Sequence, residues 1–133
     1  MKVDPWGGEK VEMTKRLIEE FGLTEFNKNK PLINHYLFTR GIIVAHRDFD
    51  IINNCIKEKK PFIQLTGIAS SGPMHLGHKV DVDIFLMFKK LGAKSSFVIS
   101  DIDAYVSRPD SKVPSLKRSK EIAVENISHL LAL

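Results

Sequence analysis

The chain of 133 residues lacks most of what would mark an unusual class of protein. Its single cysteine, Cys55, cannot form an internal disulfide, so a reduced, cytosolic setting is expected. No apolar run approaches the roughly 20 residues a membrane helix needs, and nothing at the N-terminus reads as a signal peptide. With 8 glycines and 6 prolines, neither collagen-like nor low-complexity sequence is indicated. No internal repeat is present. Charge of one sign does not dominate either, since 20 Lys and Arg face 16 Asp and Glu for a net +4. What remains, 43% hydrophobic and 27% charged, is globular, and its length favours one domain with a real core.

The basic residues are unevenly placed. Arg108, Lys112, Lys117, Arg118 and Lys120 fall within one stretch against the single acid Asp110. Such a stretch can meet nucleic acid or nucleotide phosphates, or it can be a solvated loop and helix face. Charge alone does not choose between them.

Residues 1–60 read as a mainly helical segment. Leu17, Ile18 and Phe21 recur at helical spacing between Thr14 and Phe21, and Gly22 stops the run. Asp48 is the expected N-cap of a helix on which Ile51, Ile52, Cys55 and Ile56 share a face, making Cys55 a packed thiol rather than a nucleophile. After Pro61 the rhythm changes. Residues 62–66 read as a strand and 67–72 as a loop of small residues. A helix is expected from Pro73, capped by Ser71 or Gly72, to about Lys90, much of it buried around Ile84–Phe88. A second strand over 96–100 precedes a polar loop with Pro109 and Pro114. The last helix starts near Ser115 and carries Leu116, Ile122, Ala123, Ile127, Leu130 and Leu131.

Strand, helix, strand, helix over 61–133 is the opening of a parallel α/β sheet. Two strands do not finish one, because a parallel sheet is covered on both faces. The sequence also stops inside the apolar run Leu130-Leu131-Ala132-Leu133. The expectation is an N-terminal piece of a longer protein, with oligomerisation as the other way to cover that surface. The fold class is α/β: the first half of a Rossmann-like parallel-sheet nucleotide-binding domain preceded by the helical segment.

The chemistry is concentrated in Ser70-Ser71-Gly72-Pro73-Met74-His75-Leu76-Gly77-His78, between the first strand and its helix, where open α/β sheets place ligands. Helical spacing lets His75 and His78 point together off the first turn. The helix N-terminus favours an anion, and Gly77 with the small loop residues lets a phosphate or flat ring approach the backbone. Two imidazoles at this place can stabilise charge developing on a phosphoryl group. A metal centre is not expected, for no third ligand is apparent nearby.

His75-Leu76-Gly77-His78 matches the His-x-Gly-His motif of class I aminoacyl-tRNA synthetases, and the chain resembles their tryptophanyl members from archaea and eukaryotes. The resembling pieces run in order through Asp4-Pro5-Trp6, Lys15-Arg16-Leu17-Ile18 with Phe21-Gly22, Arg40-Gly41-Ile42, His46-Arg47-Asp48, Lys60-Pro61-Phe62, Thr66-Gly67, Ser70-Ser71 and Met74–His78. The resemblance implies activation of tryptophan by ATP with Mg²⁺ and its transfer to tRNA, in the cytoplasm and by a homodimer when full-length. His75 and His78 would be catalytic, binding the ATP phosphates and stabilising the α-phosphate under attack. Ser70, Ser71 and Gly77 would complete the ATP site. Gly67, Ser100 and Asp103 would border or hold the amino acid, with Asp101 beside them.

The sequence departs from that pattern in places. Leu65 and Val98 stand where eukaryotic tryptophanyl enzymes carry Tyr and Gln to read the indole, and Ile68 where they have a phosphate-binding Arg. Ser100-Asp101-Ile102-Asp103-Ala104-Tyr105 is similar to archaeal tyrosyl and some archaeal tryptophanyl enzymes. Tyrosine is therefore the alternative substrate. A truncated, non-catalytic paralogue that binds nucleotide or a partner is the alternative function, and a small nucleotidylyl transferase ranks last. The family's second ATP-clamping loop and its anticodon-binding domain are not in these 133 residues, so the chain alone is expected to be nearly inactive.

Overall fold

The structure, a computed structural model, describes residues 15–26, 33–107 and 113–133. The chain divides into two compact units, Met1–Lys60 and Pro61–Leu133, where length alone favoured one. Asp4-Pro5-Trp6, Thr14, Arg108, Pro109, Asp110 and Lys112 lie outside the described residues.

In the first unit, α1 (Lys15–Glu20) ends at Gly22, whose φ of +60° suits a residue without a Cβ. Strand β1 (Thr24–Glu25) follows, then α2 (Tyr36–Thr39), β2 (Ala45–His46) and α3 (Phe49–Lys57). The antiparallel pairing of β1 with β2 is a feature the helical reading of this segment did not anticipate. Both strands are too short for any period-two pattern to register. Their surroundings are aromatic: the Phe26 ring stands 5.1 Å from Phe38, 5.3 Å from Phe49 and 4.4 Å from His46. Asp48 does occupy the cap position of α3, but with φ +55° its carboxylate makes no capping bond. The His46 Nδ1 takes that role and accepts the Phe49 N–H at 3.1 Å. Along α3, Phe49 and Asn53 are buried, Cys55 is half-buried and Ile51 is exposed.

The second unit is the parallel α/β element. Strand β3 (Ile63–Ala69) pairs with β4 (Lys94–Ser100) in parallel, with Ile63 opposite Lys94 and Ala69 opposite Ser100. Both strands begin earlier or run later than the apolar pattern indicated, because Gly67 and the Lys94–Ser95 start carry little hydrophobic signal. Helix α4 (Leu76–Lys90) connects them, and α5 (Asp101–Val106) and α6 (Leu116–Leu131) follow β4. Helix α5 occupies part of what reads as polar loop in the sequence. The Phe85 and Phe97 rings, edge to face at 5.3 Å, seat α4 on one side of the sheet. Val82 and Met87 are buried on α4, while Ile84, Phe85, Leu86 and Phe88 are only half-buried, less than the sequence led one to expect. On the other side of the sheet Ile63, Leu65 and Val98 are exposed, at 77%, 72% and 44%. Gly67 lies on that open side, where an added Cβ would fall 2.1 Å from the Val98 carbonyl oxygen. Only glycine fits so close a strand approach.

Candidate functional site

The two strands end side by side, tied by the Ser70 N–H donating to the Ser100 carbonyl at 3.0 Å. From that shared edge two turns emerge, one leading into α4 and the other into α5. Ligands of open α/β sheets bind outside such carboxyl ends.

The first turn holds the imidazole pair. Helix α4 starts at Leu76, three residues later than Pro73, so its cap is His75 rather than Ser71 or Gly72. The difference has a physical cause. The His75 Nδ1 accepts the Gly77 N–H at 3.1 Å, and the His78 Nδ1 accepts the His75 N–H at 3.2 Å. The two rings therefore satisfy orphan N–H groups of the helix start reciprocally. They stack with centroids 3.9 Å apart and planes 24° apart. In a neutral ring whose Nδ1 accepts a hydrogen bond, the proton sits on Nε2. Each imidazole is thereby set to donate from Nε2. His75 is exposed and His78 half-buried.

Gly77 has a specific steric part here. A Cβ on it would stand 2.9 Å from His75 Cε1 and 3.0 Å from His75 Nδ1, so a side chain would push the capping ring aside. Ser71 and Gly72 are half-buried in the turn. Ser70 has no exposed surface, and its hydroxyl finds no hydrogen-bond partner among the described residues. An open groove of about 460 Å³ runs beside the pair, lined by Met74, His75, Leu76 and Lys79 and, from the end of α6, by His129, Ala132 and Leu133. Lys79 reaches Asp83 at 2.6 Å.

The second turn is plainer. Ser100 caps α5 without a side-chain hydrogen bond, and both Asp101 and Asp103 fall in its first turn. The Asp101 carboxylate accepts the Ile102 N–H at 2.8 Å. Carboxylates at a helix N-terminus are favourable on their own account. Ser100, Asp101 and Asp103 are each half-buried at the strand edge.

Two residues the sequence reading passed over join these turns to α6. Asn126 and Ser119 are both fully buried and both hydrogen-bonded to the turns. The signal was the stripe Ser119, Ile122, Ala123, Asn126, whose helical spacing begins and ends in a polar residue. On the same helix Lys117, Arg118 and Lys120 are exposed, and Arg118 pairs with Glu121 at 3.1 Å. Among the described residues no three His, Cys, Asp or Glu side chains gather in a group that could hold a metal ion, and no helix is long and apolar enough to cross a membrane.

A strand–turn–helix with small residues in the turn and paired imidazoles at the helix start defines the first half of a nucleotide-binding α/β domain. The family of class I tRNA synthetases (W and Y) matches residues 57–133, and the chain belongs to it. The tryptophan–tRNA ligase of Thermoplasma volcanium is 36% identical over 123 residues, covering 92% of this chain and 27% of that protein. That of Methanocaldococcus jannaschii is 34% identical, with 100% of this chain and 36% of that protein covered. Among solved structures, the tryptophanyl-tRNA synthetase of Aeropyrum pernix K1 matches with a TM-score of 0.73 at 34% identity, covering 98% of this chain and 36% of that one. A tryptophanyl-tRNA synthetase from Encephalitozoon cuniculi, bound to tryptophan, gives 0.71 at 28% identity, covering 87% and 36%. The chain thus spans between 27% and 36% of the length of these relatives.

Proposed function

We propose that this chain is the N-terminal part of a tryptophan–tRNA ligase and supplies the phosphate side of its adenylate-forming site. The observation that carries the reading is the stacked, reciprocally capping His75–His78 pair at the start of α4. It comes together with family membership across 57–133. The fit to a nucleoside triphosphate rests on the donor set: two Nε2–H groups beside a helix N-terminus, with Gly77 keeping a side chain off the His75 ring.

In this reading the Nε2–H groups of His75 and His78 donate to the ATP phosphate oxygens. Their hydrogen bonds strengthen as negative charge builds on the α-phosphate under attack by the tryptophan carboxylate. Because the rings are already locked by their capping bonds, little reorganisation accompanies the reaction. Gly77 leaves room for the adenine, and Ser71 lines the turn. Ser70, having no exposed surface, supports the turn from within. Mg²⁺ arrives with ATP. Gly67, Ser100 and Asp103 border the amino acid, where a carboxylate suits its ammonium group. Pyrophosphate leaves as the carboxylate–phosphate bond forms. The acyl group of the adenylate then passes to tRNA in the cytoplasm with release of AMP, and the full-length enzyme is a homodimer.

Tryptophan-dependent exchange of pyrophosphate into ATP tests the proposal. The full-length ligase should catalyse it and the 133-residue chain should be nearly inactive, since electrostatic preorganisation needs both sides of the clamp. Exchange driven by tyrosine instead would move the substrate. Exchange by this chain near a full-length rate would overturn the division of the site.

A further inference from the structure

We infer that Asn126 is a positioning residue for the turn that carries the imidazole pair, and that α6 is the brace fixing both strand-end turns. The Asn126 Oδ1 accepts the Met74 N–H at 3.1 Å, and its Nδ2 donates to the Gly72 carbonyl at 3.1 Å. These two backbone groups flank Pro73, which has no N–H to offer. The side-chain amide thus pairs with the turn as a neighbouring strand would. Only one orientation of the amide satisfies both bonds, so the contact is directional as well as close.

The bracket ends one residue before His75. Holding the Gly72 carbonyl and the Met74 N–H together fixes where His75 leaves the turn, and hence where its ring meets Gly77 and stacks on His78. Two helical turns earlier, the Ser119 hydroxyl donates to the Asp101 carbonyl at 2.6 Å. Seven residues of α-helix separate the two anchors by about 10.5 Å along the helix axis. Ile122 and Ala123 between them are buried and seat the helix.

Burial alone does not account for the residue types. An apolar side chain at 126 would bury as well, whereas a buried carboxamide is tolerable only with its partners in place. Asn126 has no exposed surface and has its partner on each side. The polar ends of the stripe therefore specify a geometry rather than add to the core.

The bracing itself needs no ligand; its consequence for ATP rests on the function proposed above. The test is nuclear magnetic resonance of the whole 133-residue chain, comparing N126A, N126D and, as a control on the exposed side of α6, S128A. In N126A the Met74 amide should exchange about tenfold faster or more, the factor expected when a buried donor loses its acceptor. The His75 and His78 ring signals should shift, while strand β3 and α6 amides stay protected. N126D keeps the acceptor for Met74 and loses the donor to Gly72, so Met74 should stay protected while the ring signals still move. It decides the matter if N126A does not fold. S128A should leave all of these signals unchanged. Wild-type ring signals in folded N126D, or equal shifts in S128A, overturn the inference. Titration with Mg-ATP and with adenosine separates the two claims. N126D should weaken ATP about tenfold and leave adenosine unaffected, by loss of one hydrogen bond's worth of order at the helix start. If the wild-type chain binds no Mg-ATP but its ring signals respond to N126D, positioning stands and the nucleotide reading falls.

Discussion

The two turns at the ends of β3 and β4 leave the same sheet edge but are built to different standards of rigidity. The first is closed by the reciprocal caps of His75 and His78, by the stack of their rings and by the Asn126 bracket. The second enters α5 through a serine cap with no side-chain bond and, among the described residues, takes one side-chain hydrogen bond from α6, that of the Ser119 hydroxyl. Its carboxylates serve the first turn of a short helix. Under the function proposed above, the contrast makes the first turn a preformed site for phosphate and the second a less finished edge for the amino acid. Phosphate recognition needs only backbone donors, glycines and imidazoles, all local to one turn. An ammonium and a side-chain pocket need walls, and here the side of the sheet bearing Leu65, Gly67 and Val98 is open.

The comparison can be broken most forcefully at the first turn. In the full-length enzyme, His78→Ala should slow adenylate formation about 10²–10³-fold, the usual cost of removing one preorganised donor, with little change in tryptophan affinity. Equal losses in rate and in tryptophan binding would remove the distinction between the turns.

Gly67→Ala attacks the sheet beneath both. The new Cβ would meet a backbone oxygen at 2.1 Å, so β3 and β4 must separate. A loss of about 2–3 kcal/mol, as for other overpacked sites, should appear in urea unfolding of the chain. An unchanged midpoint would mean that the strands approach less closely than described.

Gly77→Ala should separate stability from function. The clash is with the movable His75 ring, so unfolding should change by about 1 kcal/mol or less, the size of one lost cap. ATP affinity should fall by more than that stability change implies. The smallest effect is expected at the second turn. Asp101→Asn should cost about 0.5 kcal/mol, the loss of one carboxylate at an exposed helix start, in a thermal melt. Asp103→Asn should raise the KM for tryptophan well beyond its effect on the melt. A KM that follows only the melt would leave Asp103 a helix-stabilising residue.

How much of this was legible in the sequence follows the same division. The parallel α/β fold and the pairing of His75 with His78 on one face came from local signals: a strand, a run of small residues, and imidazoles at helical spacing. The point at which α4 begins did not, because Pro73 is a good first residue of a helix and nothing in its neighbourhood says otherwise. The chain stays out of helix until His75 because the two imidazoles cap the helix there and Asn126, more than fifty residues on, holds Gly72 and Met74 in the turn. Capping by His46 in place of Asp48 is a similar case. Aspartate is the better cap by propensity, but the ring of His46 is packed on Phe26 and sits where the Phe49 N–H points. Helix α5 was hidden because its six residues carry two carboxylates and follow the strand without a break. Ser119 and Asn126 leave no mark on the apolar periodicity of α6, because a brace made of hydrogen bonds is polar.

The proposal of a preformed phosphate site is tested most directly by titrating the 133-residue chain with Mg-ATP while following the ring signals of His75 and His78. Both rings should shift together and saturably with ATP and with pyrophosphate. Ring signals that stay fixed at millimolar ATP and pyrophosphate would contradict the account.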